Sequence, residues 1–304
     1  MKRSIVYPQA LTEGDRIAIL SPASIVKRHY VNDAIEVLKR CGWEPYLGSC
    51  TLSSHGTYSG PQALRIEDFK VAFEDPSTRA IYCSRGGYGC VQLLEALGKV
   101  DIQSDPKWLI GFSDVSALHA LMQSKGVASI HAPMVKHLSE NNGLDVWSQS
   151  LFSILRGNNV EYKWPHHEFN RCGETTGRIV GGNLVVLSQL INTPFDMFEE
   201  GVILFIEDIA EAIYKIERIM WQLRLSGVLG SLKGLIVGQF VEYKPDKNYA
   251  TMETMLREML APYSFPIAFN APLGHVNDNM PLVEGAMASL KVAAEFTHLS
   301  LRME

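Results

Sequence analysis

Three polar residues, each expected just beyond a buried strand, have the types that nucleophilic catalysis requires: Ser113, Glu207 and His275. Ser113 follows an apolar run and precedes a predicted helix. In that context a sharp turn exposes a hydroxyl, and the N-terminus of the helix faces developing negative charge. The pattern only partly matches G-x-S-x-G, because Val115 stands at the second glycine position. An ordinary helix N-cap at Ser113 or Asp114 is the alternative interpretation.

Glu207 directly follows the apolar run 202–206, and a carboxylate at the end of a buried strand needs a partner because isolated burial of a charge is unfavourable. It could orient a histidine, bind a metal or pair with Arg218 or Arg224. No His-x-x-x-His or cysteine cluster accompanies it, so a metal is the weaker option. His275 follows a predicted strand through a short loop that ends in glycine, which can present an imidazole. The chain order Ser, Glu, His is one in which acyl-transfer triads are built on other folds.

A glycine-rich segment, Arg85-Gly-Gly-Tyr-Gly89, lies between a predicted strand and a predicted helix. Its backbone can approach a ligand closely and offer N–H groups to it. The spacing is neither G-x-G-x-x-G nor that of a phosphate-binding loop, which argues against a nucleotide site. An oxyanion hole suits it better, and a glycine-rich turn without a ligand is the alternative.

The elements that must position these residues alternate between strand and helix in the first part of the chain. Such alternation predicts a parallel α/β sheet covered on both faces, with its ligand crevice at the carboxyl ends of the strands. All three strand-to-helix loops would then open onto one edge of the sheet. The predicted strands are 15–20, 80–83 and 108–111, and the predicted helices are 31–40, 66–73, 91–97 and 115–122.

The pattern weakens between about residues 141 and 176, where Trp164 and His166 lie among turn-forming residues. We place the domain boundary there, with an N-terminal domain over 1–160 that carries the serine and a C-terminal domain over 175–304 that carries Glu and His. The second domain is richer in strand, and we expect a small barrel or sandwich. Its predicted strands are 202–206, 234–240, 267–269 and 287–293, with a helix over 213–225.

Composition narrows the classes of function. The 304 residues are 46% apolar and 20% charged, which suits two folded domains. A net charge of -5 without a long basic run argues against nucleic acid as a partner. The five cysteines are scattered, which fits a reducing compartment, and we expect a cytoplasmic protein. The N-terminal residues lack an apolar signal-peptide core and no long apolar run follows, so we expect neither export nor a membrane span.

Taken together, these motifs resemble the LD-carboxypeptidase family, serine peptidases that trim peptidoglycan-derived peptides. The resemblance implies Ser113 as nucleophile, His275 as general base and Glu207 as its orienting carboxylate. It also implies a parallel α/β N-terminal domain, a strand-rich C-terminal domain with the site between the two, and often a homodimer. The matching segments, in order, are 14–23, 72–89, 111–114, 181–184, 204–214 and 274–275.

Three features depart from the usual pattern of the family. Ala132 precedes Pro133 where a glycine is usual, and Glu217 stands where an aspartate is usual. The segment 166–176 does not align, which leaves the preference for a particular substrate open.

We therefore predict acyl transfer on a muropeptide, without a metal or cofactor. Ser113 Oγ would attack the carbonyl of an L-residue bonded to a C-terminal D-amino acid, and His275 would accept the proton. The backbone N–H groups of Gly87 and Asp114 would hold the oxyanion. Arg85 is the candidate ligand for the substrate carboxylate, with a structural ion pair as the alternative.

Two other functions remain open on the sequence. A microcin-immunity-type enzyme would use the same triad on a peptidyl or aminoacyl nucleotide, and Trp164 would then be the candidate for an aromatic platform. A binding protein that retains the fold without catalysis is the other, but all three triad positions are filled.

Overall fold

A computed structural model of the chain describes residues 4–303, which form two compact units. The first unit comprises residues 4–159, 280–285 and 303. The second comprises 160–279 and 286–302. The chain therefore enters the second unit at residue 160, returns to the first for residues 280–285, and then continues in the second.

Strands and helices alternate along the first part of the chain, as the sequence predicts. Single 3-10 turns, Cys90–Leu93 and Ser113–Val115, precede two of the helices. The elements are β1 Arg16–Leu20, α1 Arg28–Arg40, β2 Glu44–Leu47, α2 Gln62–Glu74, β3 Thr78–Cys83, α3 Leu94–Leu97, β4 Trp108–Gly111, α4 Ser116–Ser124, β5 Ser129–His131, α5 Val135–Asn141 and α6 Val146–Leu155.

The remaining elements are richer in strand. They are β6 Val160–Pro165, β7 Gly173–Asn183, α7 Leu184–Ser188, β8 Val202–Ile209, α8 Ile213–Leu225, α9 Val228–Ser231, β9 Gly234–Val241, α10 Met252–Leu260, β10 Ile267–Ala268, β11 Leu282–Glu284, β12 Met287–Val292 and β13 Phe296–Arg302.

Six of the strands within residues 4–303 form the sheet of the first unit, in the order β11-β5-β4-β3-β1-β2. The five from β1 to β5 are parallel, and β11 adds an antiparallel edge. Residues 17–20 and 108–111 are buried throughout, as is typical of parallel strands covered on both faces. The predicted parallel α/β fold is confirmed. The carboxyl ends of β1, β3 and β4 point to the same edge, where their loops gather.

Seven of the described strands form the sheet of the second unit, in the order β10-β9-β8-β7-β12-β13-β6. The pairs from β10 to β7 are parallel, and those from β7 to β6 are antiparallel. An antiparallel bridge between Arg171 and Ile267, with N···O distances of 2.9 and 3.1 Å, links the chain beyond β6 to β10. The sheet thus curls back on itself, which agrees with the barrel-like, strand-rich domain that the sequence predicts.

The main correction to the predicted elements concerns residues 141–176. The sequence pattern indicates an irregular segment there, but the structure has α6 and β6 in it. In β6 the side chains of Val160, Tyr162 and Trp164 are buried in alternation with exposed ones. This period of two is short and ends at Pro165 among turn residues, so it does not stand out in the sequence.

Trp164 illustrates the consequence of this correction. It lies in β6 instead of a loop, its side chain is 5% exposed, and its indole Nε1 donates to the carbonyl of Phe269 at 3.3 Å. The residue is therefore part of the core of the second unit and cannot serve as the aromatic platform considered above.

The predicted helix over 91–97 is also corrected. It is a 3-10 turn followed by the short helix α3, and the two elements are bounded by Gly89, with φ of +141°, and by the C-cap at Gly98. No helix of the described residues has the length and apolar character that a membrane span requires.

Candidate active site

Ser113 occupies the turn between β4 and α4. Its φ is +66°, in the left-handed region that residues with a side chain rarely adopt, and its side chain is half-buried. Such a conformation is unfavourable by roughly 1–3 kcal/mol, and strained residues of this kind cluster at functional sites. The N-cap positions of the 3-10 turn and of α4 are Phe112 and Val115. Ser113 is therefore not the N-cap of either, and its hydroxyl sits on a strained turn after a buried strand.

Asp114 anchors this turn to the glycine loop. Its buried carboxylate accepts the backbone N–H of Cys90 at 2.8 Å. Burial raises the pKa of Asp114 above its ordinary value, although the bond from Cys90 and the nearby cation of Arg65 act in the opposite direction. Its side chain therefore binds another loop and does not cap its own helix.

Two glycines of the loop 85–89 are required by close approach. A Cβ at Gly86 would lie 3.0 Å from Ser113 Cβ and 3.1 Å from Ser113 Oγ. A Cβ at Gly87, whose φ is +111°, would lie 2.1 Å from Ser24 Oγ. Only glycine fits at either position without displacing a neighbour. The loop thus packs directly against the hydroxyl of Ser113, on a backbone that is bare of side chains.

Arg65 holds the surrounding loops together, and sequence reasoning missed it. Its guanidinium is 1% exposed and donates to the carbonyls of Pro22, Gly60 and Gly89, at 2.5 to 3.2 Å, and to the side chain of Gln92 at 2.6 Å. Arg65 lies just before the predicted helix 66–73, where an arginine is normally expected to be solvated. The available signal was its helical spacing with the apolar residues Phe69 and Ala72, which lie on the buried side of α2.

Arg85 is exposed, as a residue that binds a substrate carboxylate must be. Its Nη1 donates to the carbonyl of Ile25 at 2.8 Å. This bond attaches the glycine loop to the loop that follows β1.

Glu207 and His275 form a hydrogen-bonded pair in the second unit. Glu207 is fully buried near the end of β8, and its Oε2 accepts from His275 Nδ1 at 2.8 Å. This bond places a proton on Nδ1, so in the neutral ring Nε2 is the proton acceptor. The other partners considered for Glu207 lie elsewhere: Arg218 stacks over the ring of Tyr214, and Arg224 stacks over another ring of the same helix.

Gly274 makes the pair possible. Its φ is +117°, and a Cβ there would lie 3.0 Å from both Cβ and Oε2 of Glu207. Its N–H donates to Asn279 Oδ1 at 2.9 Å. The loop can therefore pass tightly over the carboxylate and bring His275 to it.

Opposing effects set the pKa of His275. Burial of the imidazole acts to lower it, while the hydrogen bond to Glu207 and the negative charges of Glu207, Asp208 and Glu242 act to raise it. The pKa of His275 lies above its ordinary value. The protonated ring is thus stabilised, which suits a base that must carry a proton in mid-reaction.

Asp208 has a structural role. Its buried carboxylate accepts from Asn183 Nδ2 at 3.0 Å and from the N–H groups of Val185 and Ile209 at 2.8 Å. Burial raises its pKa to about 6. It ties the start of α7 to β8 beside Glu207. Among the described residues, no group of three or more His, Cys, Asp or Glu side chains is arranged to hold a metal ion.

The structure thus gathers the predicted residues into two groups. Ser113, Asp114, Gly87 and Arg85 lie on neighbouring loops of the first unit. The pair formed by Glu207 and His275 lies in the second unit.

The chain matches known proteins along most of its length. Residues 17–132 match the LD-carboxypeptidase N-terminal domain, and residues 176–290 match the LD-carboxypeptidase C-terminal domain. The murein tetrapeptide carboxypeptidase of Pseudomonas aeruginosa is 30% identical over 287 residues, which are 91% of this chain and 93% of that protein. The crystal structure of muramoyltetrapeptide carboxypeptidase from Oxalobacter formigenes has a TM-score of 0.86 at 27% identity, covering 95% of this chain and 99% of that one.

A second kind of protein has a similar fold. The microcin C7 self immunity protein MccF, in its wild-type apo state, has a TM-score of 0.85 at 20% identity, covering 98% of this chain and 99% of that one. At this identity the likeness concerns the fold alone.

Proposed function

The chain belongs to the LD-carboxypeptidase family, and from this premise we propose that it releases a C-terminal D-amino acid, D-alanine, from peptidoglycan-derived tetrapeptides. The bond cleaved would join an L-configured residue to that D-amino acid. The relatives named for murein peptides support the substrate class. Within the structure, the hydrogen bond between buried Glu207 and His275 carries the proposal, because an imidazole oriented in this way is the acid–base part of acyl-transfer machinery.

In the proposed first step, Ser113 Oγ attacks the carbonyl carbon of the L-residue while His275 Nε2 accepts the hydroxyl proton. The C–N bond of the tetrahedral intermediate then breaks. His275 gives its proton to the leaving amine, which departs as the D-amino acid, and the peptide remains as an ester on Ser113. The support for this step is the strained, half-buried Ser113 after a buried strand.

In the proposed second step, water attacks the ester and His275 takes its proton. The ester C–O bond breaks, and His275 returns the proton to Ser113 Oγ. One water is consumed, and the enzyme regains its initial state. Throughout, Glu207 would keep the proton on Nδ1 and stabilise the imidazolium, in agreement with the raised pKa of His275.

The oxyanion would be held by the backbone N–H groups of Gly87 and Asp114. Two observations support this role: the loop packs against Ser113 without a side chain, and Gly87 is exposed. Preorganised donors of this kind stabilise the transition state by about 3 kcal/mol each. Arg85, exposed on the same loop, is proposed to bind the terminal carboxylate of the substrate.

The decisive test compares matched tetrapeptides that end in D-Ala or in L-Ala after L-Lys or meso-diaminopimelate, with products identified by mass spectrometry. If the terminal carboxylate is held in place, only one hand at the α-carbon directs its amide nitrogen toward the base. We expect kcat/KM to favour D-Ala by on the order of 10^2 or more. Amidation of the terminal carboxylate should remove most of the D-Ala activity.

Equal cleavage of the two peptides would refute the L,D specificity and leave a serine hydrolase. Cleavage of a peptidyl nucleotide with neither peptide touched would support a microcin-immunity-type enzyme instead. The homodimer and the cytoplasmic location expected from the sequence stay predictions, which sedimentation and cell fractionation would test.

A further inference from the structure

A buried polar cluster lies behind Ser113 in the first unit. His119 on α4, Ser129 on β5 and Glu284 on β11 are each 0% exposed. His119 Nδ1 lies 2.9 Å from Ser129 Oγ and 3.7 Å from Glu284 Oε1. The mechanism proposed above uses none of these side chains.

His119 bonds the backbone just before the proposed nucleophile. Its Nε2 lies 2.9 Å from the carbonyl oxygen of Gly111, two positions before Ser113. Because a carbonyl can only accept, Nε2 carries the proton. Burial lowers the pKa of His119 to about 4, so the ring is neutral near pH 7 and Nδ1 accepts from the Ser129 hydroxyl.

The strained turn at Ser113 therefore has an anchor on each side. After it, Asp114 accepts the N–H of Cys90 at 2.8 Å. Before it, the carbonyl of Gly111 receives two donors, Nε2 of His119 at 2.9 Å and the N–H of Ala132 at 3.0 Å. A left-handed conformation with a side chain persists only where the surroundings impose it.

We propose that His119 is a positioning residue for Ser113, acting through its hydrogen bond to the carbonyl of Gly111. The proposal rests on the role of Ser113 in the proposed function. Burial of an imidazole removes two polar ring nitrogens from water, which is unfavourable. If His119 served packing alone, an apolar side chain such as leucine would fill the space without that cost. The bond instead sets where β4 ends, and so where Ser113 Oγ lies. Displacement of a reacting atom by about 1 Å can lower a rate on the order of 10^2-fold.

The test uses two amide variants of the full chain, His119→Gln and His119→Asn. Glutamine places an N–H as many bonds from Cβ as Nε2 is, whereas asparagine places it at the position of Nδ1. We expect His119→Gln to keep kcat for the D-Ala tetrapeptide within about threefold of wild type. His119→Asn should lower kcat by roughly ten- to a hundredfold with KM unchanged.

A second readout is independent of the peptide. The rate at which a fluorophosphonate probe labels Ser113 should follow the same order, with wild type and His119→Gln labelled faster than His119→Asn. Melting temperatures identify variants that do not fold. If His119→Asn does not fold, the variant Ser129→Ala tests the proposal in its place. Loss of the hydroxyl that orients the ring of His119 should lower kcat and the labelling rate severalfold.

Equal kcat and equal labelling in folded His119→Gln and His119→Asn would overturn the proposal, as would an unchanged Ser129→Ala where that variant decides. Failure of the proposed function looks different. A wild-type protein that neither labels nor cleaves refutes Ser113 as nucleophile. One that labels but leaves the tetrapeptide intact refutes the substrate.

Discussion

The turn that carries Ser113 and the pair formed by Glu207 and His275 are held by different kinds of contact. Around Ser113 the contacts involve mainly backbone: a strained φ, the close approach of Gly86, and a carboxylate that binds a backbone N–H. The pair depends on one side-chain hydrogen bond of 2.8 Å to a fully buried carboxylate. Positioning is therefore spread over many groups in the first region and concentrated in one bond in the second.

This difference has consequences for substitution. A change near Ser113 is expected to act through steric displacement of the backbone and to affect the rate without a characteristic pH signature. A change at the pair alters the protonation of an imidazole, so its effect should depend on pH.

The largest effect is expected for Ser113→Ala. Removal of the proposed nucleophilic hydroxyl should lower kcat by roughly 10^4-fold or more, while the melting temperature barely changes because the turn and its contacts remain. Steady-state kinetics and calorimetry measure the two. Ser124→Ala, at the other end of α4, is the matched control and should retain full activity. Substantial turnover by Ser113→Ala would remove this residue from the mechanism.

Glu207→Gln tests the single hydrogen bond on which the pair of Glu207 and His275 depends. The variant keeps the shape of the side chain but removes the charge that orients and stabilises the imidazolium, so kcat should fall by about 10^3- to 10^4-fold. The control is Glu253→Gln in the same unit, whose carboxylate binds Tyr243 Oη at 3.2 Å and should be dispensable. Near wild-type turnover by a folded Glu207→Gln would show that the pair is structural.

Gly86→Ala tests the backbone contacts that hold the turn at Ser113. The added methyl would lie 3.0 to 3.2 Å from Cβ and Oγ of Ser113 and from the N–H of Asp114, so kcat should fall by on the order of 10^2-fold through displacement of the turn. Gly230→Ala is the control, since nothing lies within 4 Å of a Cβ there. The pH profile should keep its shape, and a shifted profile would contradict the steric account.

The pH dependence sharpens the comparison further. In the proposed mechanism the neutral imidazole of His275 accepts the serine proton, so kcat/KM should rise with pH through an apparent pKa above the ordinary histidine value. In Glu207→Gln the charge that raises this pKa is lost and burial remains, so the acidic limb should move to lower pH. Rate profiles of the residual activity measure this. If the acidic limb of Glu207→Gln stays at the wild-type pH, a group other than His275 must be responsible for it.

The smallest effect concerns stability. The folded pKa of Asp208 is raised to about 6, against about 3.9 in an unfolded chain. A raised pKa stabilises the fold at low pH, and this contribution is lost as pH rises from about 4 to about 6. Relative to Asp208→Asn, the wild-type free energy of unfolding should fall across that window by on the order of 2 kcal/mol. Parallel urea titrations at several pH values measure it, and a constant difference would contradict it.

Local pattern was enough to predict much of the fold. Strand β4 and helix α8 have the bounds expected from their apolar runs and spacing, and the parallel sheet follows from the alternation of strand and helix. Short elements were not predicted. Strand β11, which comprises residues 282–284, pairs with β5, and a run of three residues shows no period of its own.

The sequence by itself identified candidate residues for the chemistry: a serine after a buried strand, an acidic residue at the end of another, and a histidine after a glycine. Their types and local context are properties of neighbouring residues, and these are what period and turn signals report. For that reason Ser113, Glu207 and His275 could all be named without a structure.

Only the tertiary structure decided which partners these residues have. Local pattern left a histidine, a metal and two arginines open for Glu207, and only the family resemblance pointed to His275. The hydrogen bond to His275, 68 positions away, is made by the packing of β8 against the loop at Gly274. The contacts that bury Arg65 and the bond from His119 to Gly111 likewise depend on the tertiary structure. A hydrogen bond between distant residues depends on where packing brings their atoms, to within a few tenths of an ångström, and no local pattern encodes that distance.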